Sequence, residues 1–188
     1  MAAYDIVIPH NNEQAFIDIA LKLGLRQLCF LYPPAQYREN TKKDYGSALK
    51  ITFGILAQPN DVLKAKGLSS MVVVARSSDS FEDRLVIEKF RPSIIYNLET
   101  SSRKDFMHQR NSGLNHVLCM IAHDNNVAIG FNYSLLQHKE RMSVMVGRMM
   151  QNMMLCKKYK LKTVFASFAT DPWQLRSKVD VESLVRIL

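Results

Sequence analysis

A chain of 188 residues with 47% hydrophobic content and a mean hydropathy of -0.11 can bury a real core and is too apolar for a disordered tail. No apolar run is long enough to span a bilayer, and Met1-Ala2-Ala3-Tyr4-Asp5 lacks the basic start and apolar stretch of a signal peptide, so the expected location is the cytoplasm. The net charge is +8 and uneven: residues 1–94 hold 12 Lys/Arg against 10 Asp/Glu, and residues 95–188 hold 13 against 7. Such a balance favours a polyanionic partner, most simply nucleic acid.

In chain order, Asp5-Ile6-Val7-Ile8 reads as a first strand. Asn11 or Asn12 is placed to cap a helix whose Ala15, Phe16, Ile19, Ala20 and Leu23 follow helical spacing, with Gly24 closing it. Gln27–Tyr32 is a second strand, ended by Pro33-Pro34, and a polar stretch to Gly46 reads as loop or short irregular helix. Lys50–Ala57 is a third strand, and Pro59-Asn60-Asp61 opens a short helix ending near Gly67. Met71–Ala75 is a fourth strand ending on Arg76, and Ser78, Asp79 or Ser80 caps a helix through Lys89. Ser93–Tyr96 is a fifth strand, and the basic loop Ser101-Ser102-Arg103-Lys104 follows.

Next comes Arg110-Asn111-Ser112-Gly113-Leu114-Asn115-His116-Val117-Leu118-Cys119, a loop running into a helix. Asn111 or Ser112 is the expected cap. Leu114, Val117, Leu118 and Ile121 make one apolar stripe. Asp124-Asn125-Asn126 breaks the helix, and Val127–Phe131 is a sixth, fully covered strand. Arg110, Asn115 and His116 lie on or beside the helix start, where a phosphate can dock. Lys139 to Tyr159 is the longest helix and carries six of the ten methionines. Its Met142, Met145, Val146, Met149, Met150, Met153 and Met154 form a face that either packs on the rest of the fold or offers an adaptable surface. Arg141, Arg148 and Gln151 or Asn152 are expected on the other side. Lys162–Ser167 is a seventh strand, and Asp180 caps a last helix, Val181 to Leu188.

Seven short apolar strands alternating with helices predict one α/β domain over 1–188 with a parallel sheet. The spacing suits a barrel one unit short of eight as well as an open doubly wound sheet, and period alone does not separate the two. Cys29, Cys119 and Cys156 lie in apolar segments without zinc-ligand spacing and read as buried thiols. In a barrel, chemistry sits at the C-terminal ends of the strands. Those positions offer His10, Glu99 and several amides and hydroxyls, not the convergent His and carboxylate set of a hydrolytic metal centre. No catalytic residue and no metal ligand is therefore assigned. Arg76, Arg103, Lys104, Arg110, His116, Arg148, Arg176 and Lys178 are the expected phosphate contacts of a nucleic-acid partner. Trp173, the only tryptophan, is expected to anchor its loop by burial.

The wording from Arg110 to Cys119 and from Asn125 to Phe131, with Ala166-Ser167 and the run Trp173–Asp180, resembles archaeal ribonuclease P protein component 3, the relative of the thirty-kilodalton eukaryotic subunit. The resemblance implies a seven-stranded relative of the TIM barrel. It implies an RNA-binding subunit of an endonuclease that trims the 5′ leader from precursor tRNA, with magnesium-dependent chemistry on the RNA and no cofactor in this chain. The implied partners are ribonuclease P RNA, precursor tRNA indirectly, and a small protein subunit with an RRM-like fold. The barrel that the resemblance implies for this chain is similar to that of the polymerase-and-histidinol-phosphatase class of metal phosphoesterases, whose His-x-His pair after the first strand is absent from Asp5–His10. A phosphoesterase with a rebuilt site and a barrel used only for protein assembly stand as alternatives.

Overall fold

The computed structural model describes residues 4–46, 48–58, 72–78, 80–102, 104–137 and 139–188. The strands are β1 (Tyr4–Val7), β2 (Gln27–Tyr32), β3 (Lys50–Ala57), β4 (Val72–Arg76), β5 (Ile94–Tyr96), β6 (Ala128–Asn132) and β7 (Thr163–Ala166). They pair in sequence order, every pair parallel, into one seven-stranded sheet. The helices are α1 (Glu13–Lys22), α2 (Pro34–Asn40), α3 (Ser80–Leu85, widening into a π turn over Val86–Phe90), α4 (His116–Asp124), α5 (Met142–Lys158) and α6 (Lys178–Ile187). The helix expected from Pro59 to Gly67, and Met71, Asp79, Arg103 and His138, lie outside the described residues.

The sheet curls into a nearly closed barrel. Alternation along each strand sends one set of side chains inward: Ile6, Ile8, Cys29, Leu31, Val74, Ile94, Tyr96, Ala128, Ala166 and Phe168 form one cluster drawn from almost every strand. The other set, including Val7, Phe30, Ile55, Ala75, Ile95, Ile129 and Phe131, meets the helices. The result is a TIM-like barrel of seven parallel strands with its interior filled by side chains, as the family resemblance implied; the open-sheet alternative does not hold. Gly130 leaves the room that Tyr96 and Phe168 occupy, since a Cβ there would stand 2.9 Å from Tyr96 Cβ and 3.1 Å from Phe168 Cζ. The two rings stack with centroids 4.1 Å apart.

Closure between β1 and β7 is carried by one residue as much as by backbone. Among the described residues the backbone link is one isolated bridge, Val7 of β1 to Ala169 three residues beyond β7, with Ile8 N–H donating to Ala169 O at 2.7 Å. Below it the buried Asp5 carboxylate stands in for the missing ladder. Its Oδ1 accepts from Ser167 N–H at 2.7 Å and Ile6 N–H at 2.8 Å, and its Oδ2 accepts the Tyr133 hydroxyl.

The helix caps differ from the predicted ones. Asn12 occupies the N-cap position of α1, but its side chain accepts from His10 N–H and donates to Thr170 O. Asn115, not Asn111 or Ser112, caps α4 by accepting from Leu118 N–H at 2.9 Å. Ser177 caps α6, and Asp180 is its reciprocal partner one turn in. Asn12 is drawn away by a distant carbonyl, Thr170 O, whereas the caps of α4 and α6 are settled by local bonds three residues apart.

Candidate nucleic-acid interface

The loop from Asn97 to Asn115, between β5 and α4, holds three of the eight predicted contacts, Arg103, Lys104 and Arg110, and His116 follows it at the start of α4. In a parallel barrel such a loop belongs to the rim at the C-terminal ends of the strands. Gly113 lets it pass close to the chain after β5: φ is +77°, and a Cβ would meet the backbone of Leu98, with its carbonyl carbon at 2.9 Å. The loop is then strapped to α5. Arg148 donates through Nε to Asp105 Oδ1 at 2.9 Å and through Nη1 to the carbonyls of Glu99 (2.8 Å) and Ser101 (2.7 Å). Gln151 accepts from Arg110 N–H and donates to Arg110 O and Ser112 Oγ. Asn152 donates to Ser112 O and to Glu99 Oε1.

Asp105 is the hub. Burial alone would raise its carboxyl; hydrogen bonds from Arg148 and Asn111 N–H, with the charges of Arg148 and Arg110, outweigh that and hold it below the usual carboxylate range. Glu99 behaves oppositely. Fully buried, it is pushed up to about 7 by desolvation, against its own backbone N–H, the Asn152 amide and the Arg148 charge. Its Oε2 and the Asn152 Oδ1 are without hydrogen-bond partners among the described residues.

Lys104, Arg110 and His116 are exposed on this loop and the start of α4. Arg76 is exposed at the end of β4, the neighbouring strand, where its charge opposes the burial that raises the Tyr96 phenol to about 12. Arg176 and Lys178 are exposed after β7. Arg176 folds back, donating through Nη1 to the carbonyls of Trp173 (2.9 Å) and Leu175 (2.7 Å), and Lys178 makes an open pair with Glu182 at 3.7 Å. Arg76, Lys104, Arg110 and His116 stand at a strand end, in a βα loop or at a helix start, whereas Arg176 and Lys178 line a cleft with Tyr4, Leu25 and Thr163, at the N-terminal ends of β1, β2 and β7. Arg103 lies outside the described residues.

Arg148 is a correction. Only 4% exposed, it faces inward with Met145, Met149, Asn152 and Met153, and its fork is committed to the loop, so it offers nothing to a phosphate. The opposite flank of α5 shows Met142, Met150 and Met154 to solvent, so the methionines divide between packing and surface. Trp173 is a second correction: it is 75% exposed, because Asp171 and Gln174 cap each other around a short 3-10 turn that lifts the ring outward. Phe106 and Met107, 70% and 94% exposed beside Lys104 and His108, were missed. The available signal was an aromatic inside a basic, aperiodic run.

The barrel mouth holds less. The Tyr96–Phe168 stack fills its centre, and Asn97, Asn132 and Ser134 bond to one another around it, Asn132 Nδ2 donating to Asn97 Oδ1 at 2.8 Å and Ser134 Oγ to Asn132 Oδ1 at 2.7 Å. A cleft of about 600 Å³ beside the start of α5 has, among the described residues, one carboxylate, Glu140, against Lys139 and Arg141. Among the described residues no group of three His, Cys, Asp or Glu side chains is arranged to hold a metal ion, and no helix is long and apolar enough to cross a membrane.

Fold and rim together define a class: a seven-stranded parallel α/β barrel carrying cationic βα loops. The sequence matches no family model and no curated protein. Among solved structures, the chain is similar to a chain of archaeal ribonuclease P determined with mature tRNA by cryo-electron microscopy. The TM-score is 0.77 at 21% identity, over 97% of this chain and 82% of that one. A second match, to an uncharacterised protein, has a TM-score of 0.47 at 8% identity over 94% of this chain and 43% of that one, and carries no argument. The first likeness establishes a shared fold.

Proposed function

We propose that this chain is an RNA-binding protein subunit of a cytoplasmic ribonuclease P, acting in removal of the 5′ leader from precursor tRNA. The observation that carries the reading is the Asn97–Asn115 loop. The residues that resemble the family's wording are the ones that strap a basic, solvent-facing segment to α5, in a chain whose fold matches a ribonuclease P chain along nearly its whole length. The chemistry belongs to the RNA and its magnesium. This chain contributes phosphate neutralisation from its basic loops, beside a small RRM-like protein subunit. No observation among the described residues favours a phosphoesterase centre in the filled mouth.

Reconstitution tests this. Holoenzyme lacking this subunit, or carrying Arg110→Ala with Arg176→Ala, should lose leader removal at low magnesium and recover much of it at high magnesium. Equal rates with and without the subunit at low magnesium would overturn the proposal. Chelator-sensitive phosphoester cleavage by the protein alone would overturn it in favour of an enzyme.

A further inference from the structure

Arg110 crosses the outer flank of α5 at a glycine. A Cβ built on Gly147 would lie 2.6 Å from Arg110 Nε and 2.8 Å from Nη1, separations that real Cβ atoms essentially never show. The guanidinium therefore rests on the helix backbone itself. Glycine inside a helix is less favourable than alanine, so the position carries a penalty that the seat explains. The main chain of Arg110 is fixed as well. Gln151, one turn further along α5, accepts its N–H at 3.1 Å and donates to its carbonyl at 2.9 Å.

What this clamp holds is a cation with spare donors. The Arg110 side chain is 46% exposed, and its pairing with Asp105 Oδ2 is long, at 3.5 Å. Asp105 is satisfied first by Arg148, at 2.8 Å from Nη2. A planar fork held in one orientation with unused N–H groups is the geometry that takes two oxygens of a phosphate. Holding it in advance lowers the entropy cost of binding. Its surroundings favour a nucleic-acid phosphate over an acidic protein: Lys104 and His108 are exposed on the same loop, and exposed Phe106 offers a ring for a base.

We propose that Gly147 is a positioning residue that seats Arg110 as a two-pronged ligand for an RNA phosphodiester. The inference rests on the RNA-binding reading. The intact chain is titrated with an in vitro transcript of the ribonuclease P RNA from the same genome, across a range of salt concentrations. Arg110→Ala, Arg110→Lys and Gly147→Ala should each weaken binding, Arg110→Ala by about tenfold. Arg110→Ala and Gly147→Ala should each reduce the salt slope by about one. The double variant should bind no worse than Arg110→Ala alone, since both changes remove one contact.

Thermal melting checks the fold. If Gly147→Ala melts early, Gln151→Ala, which frees the Arg110 main chain without crowding the helix, carries the same expected drop in slope. Weakening by Arg110→Ala with Gly147→Ala and Gln151→Ala both unchanged overturns the seat and leaves the RNA-binding reading standing. Wild-type protein without salt-dependent affinity for the transcript overturns both. Weakened binding of a protein subunit, with RNA affinity intact, assigns Arg110 to an acidic protein surface and also overturns it.

Discussion

Arg148 and Arg110 are the same residue type, and both touch Asp105, yet the structure uses them in opposite ways. Arg148 is sealed under the loop, bonded to a carboxylate and two carbonyls; Arg110 lies on top of the helix with part of its fork in solvent. Removing one member of a buried pair leaves an uncompensated charge, and the carbonyls of Glu99 and Ser101 lose a donor too. Arg148→Met should therefore cost about 3–5 kcal/mol of unfolding free energy, read from urea titration, whereas Arg110→Ala should cost under about 1 kcal/mol. Equal stability losses for the two would refute this division of labour. The sequence carried a clue: Arg148 falls three residues after Met145 and four before Asn152, on the stripe that is buried. Its charge argued the other way, and a fork that satisfies three oxygens at once is not visible in a helical pattern.

At the scale of elements, the β1–β7 seam is where the barrel is thinnest, and Asp5 is its rivet. Asp5→Ala would leave the N–H groups of Ile6 and Ser167 and the hydroxyl of Tyr133 without their acceptor. The expected loss is about 3 kcal/mol, with amide exchange at Ile6 and Ser167 accelerated well beyond that of the inner strand β2. A barrel as stable as wild type, with Ser167 still protected, would show that the Val7–Ala169 bridge suffices. The strands on either side of this seam were legible because each is a short apolar run between breakers, and their observed bounds fall within a residue of those read from the sequence. The seam itself was not. That an aspartate in a first strand would serve as a backbone surrogate for residues about 160 positions away depends on closure, which periodicity does not encode. The basic surface was half legible for a related reason. Charge marked Lys104, Arg110 and Arg176, but whether Trp173 or Arg148 faces inward was settled by capping and by contacts between distant segments.

For the whole molecule, the two fully buried carboxyls set a direction for stability against pH. Burial raises Asp5 to about 6, opposed by the Tyr133 hydroxyl and the N–H groups of Ser167 and Ile6, and raises Glu99 to about 7. Both values lie above those of the unfolded chain, so between about pH 4 and pH 7 the native state binds more protons than the unfolded state. Stability from these groups is thus full below about pH 4 and lost as pH rises through 6 and 7. By the conversion of about 1.4 kcal/mol per pKa unit, each accounts for about 3 kcal/mol. Asp105 works in the reverse sense but only under acid conditions, since its carboxyl is held below the ordinary range. The urea midpoint should therefore be higher at pH 5 than at pH 8. Glu99→Gln should flatten the upper part of that decline and raise stability at pH 8. It replaces a buried acceptor that lacks a partner among the described residues with a donor, near the Asn152 side-chain oxygen, which also lacks one there. A urea midpoint independent of pH from 5 to 8 in wild type, or a Glu99→Gln protein weaker than wild type at pH 8, would show that Glu99 is held ionised by Arg148 after all.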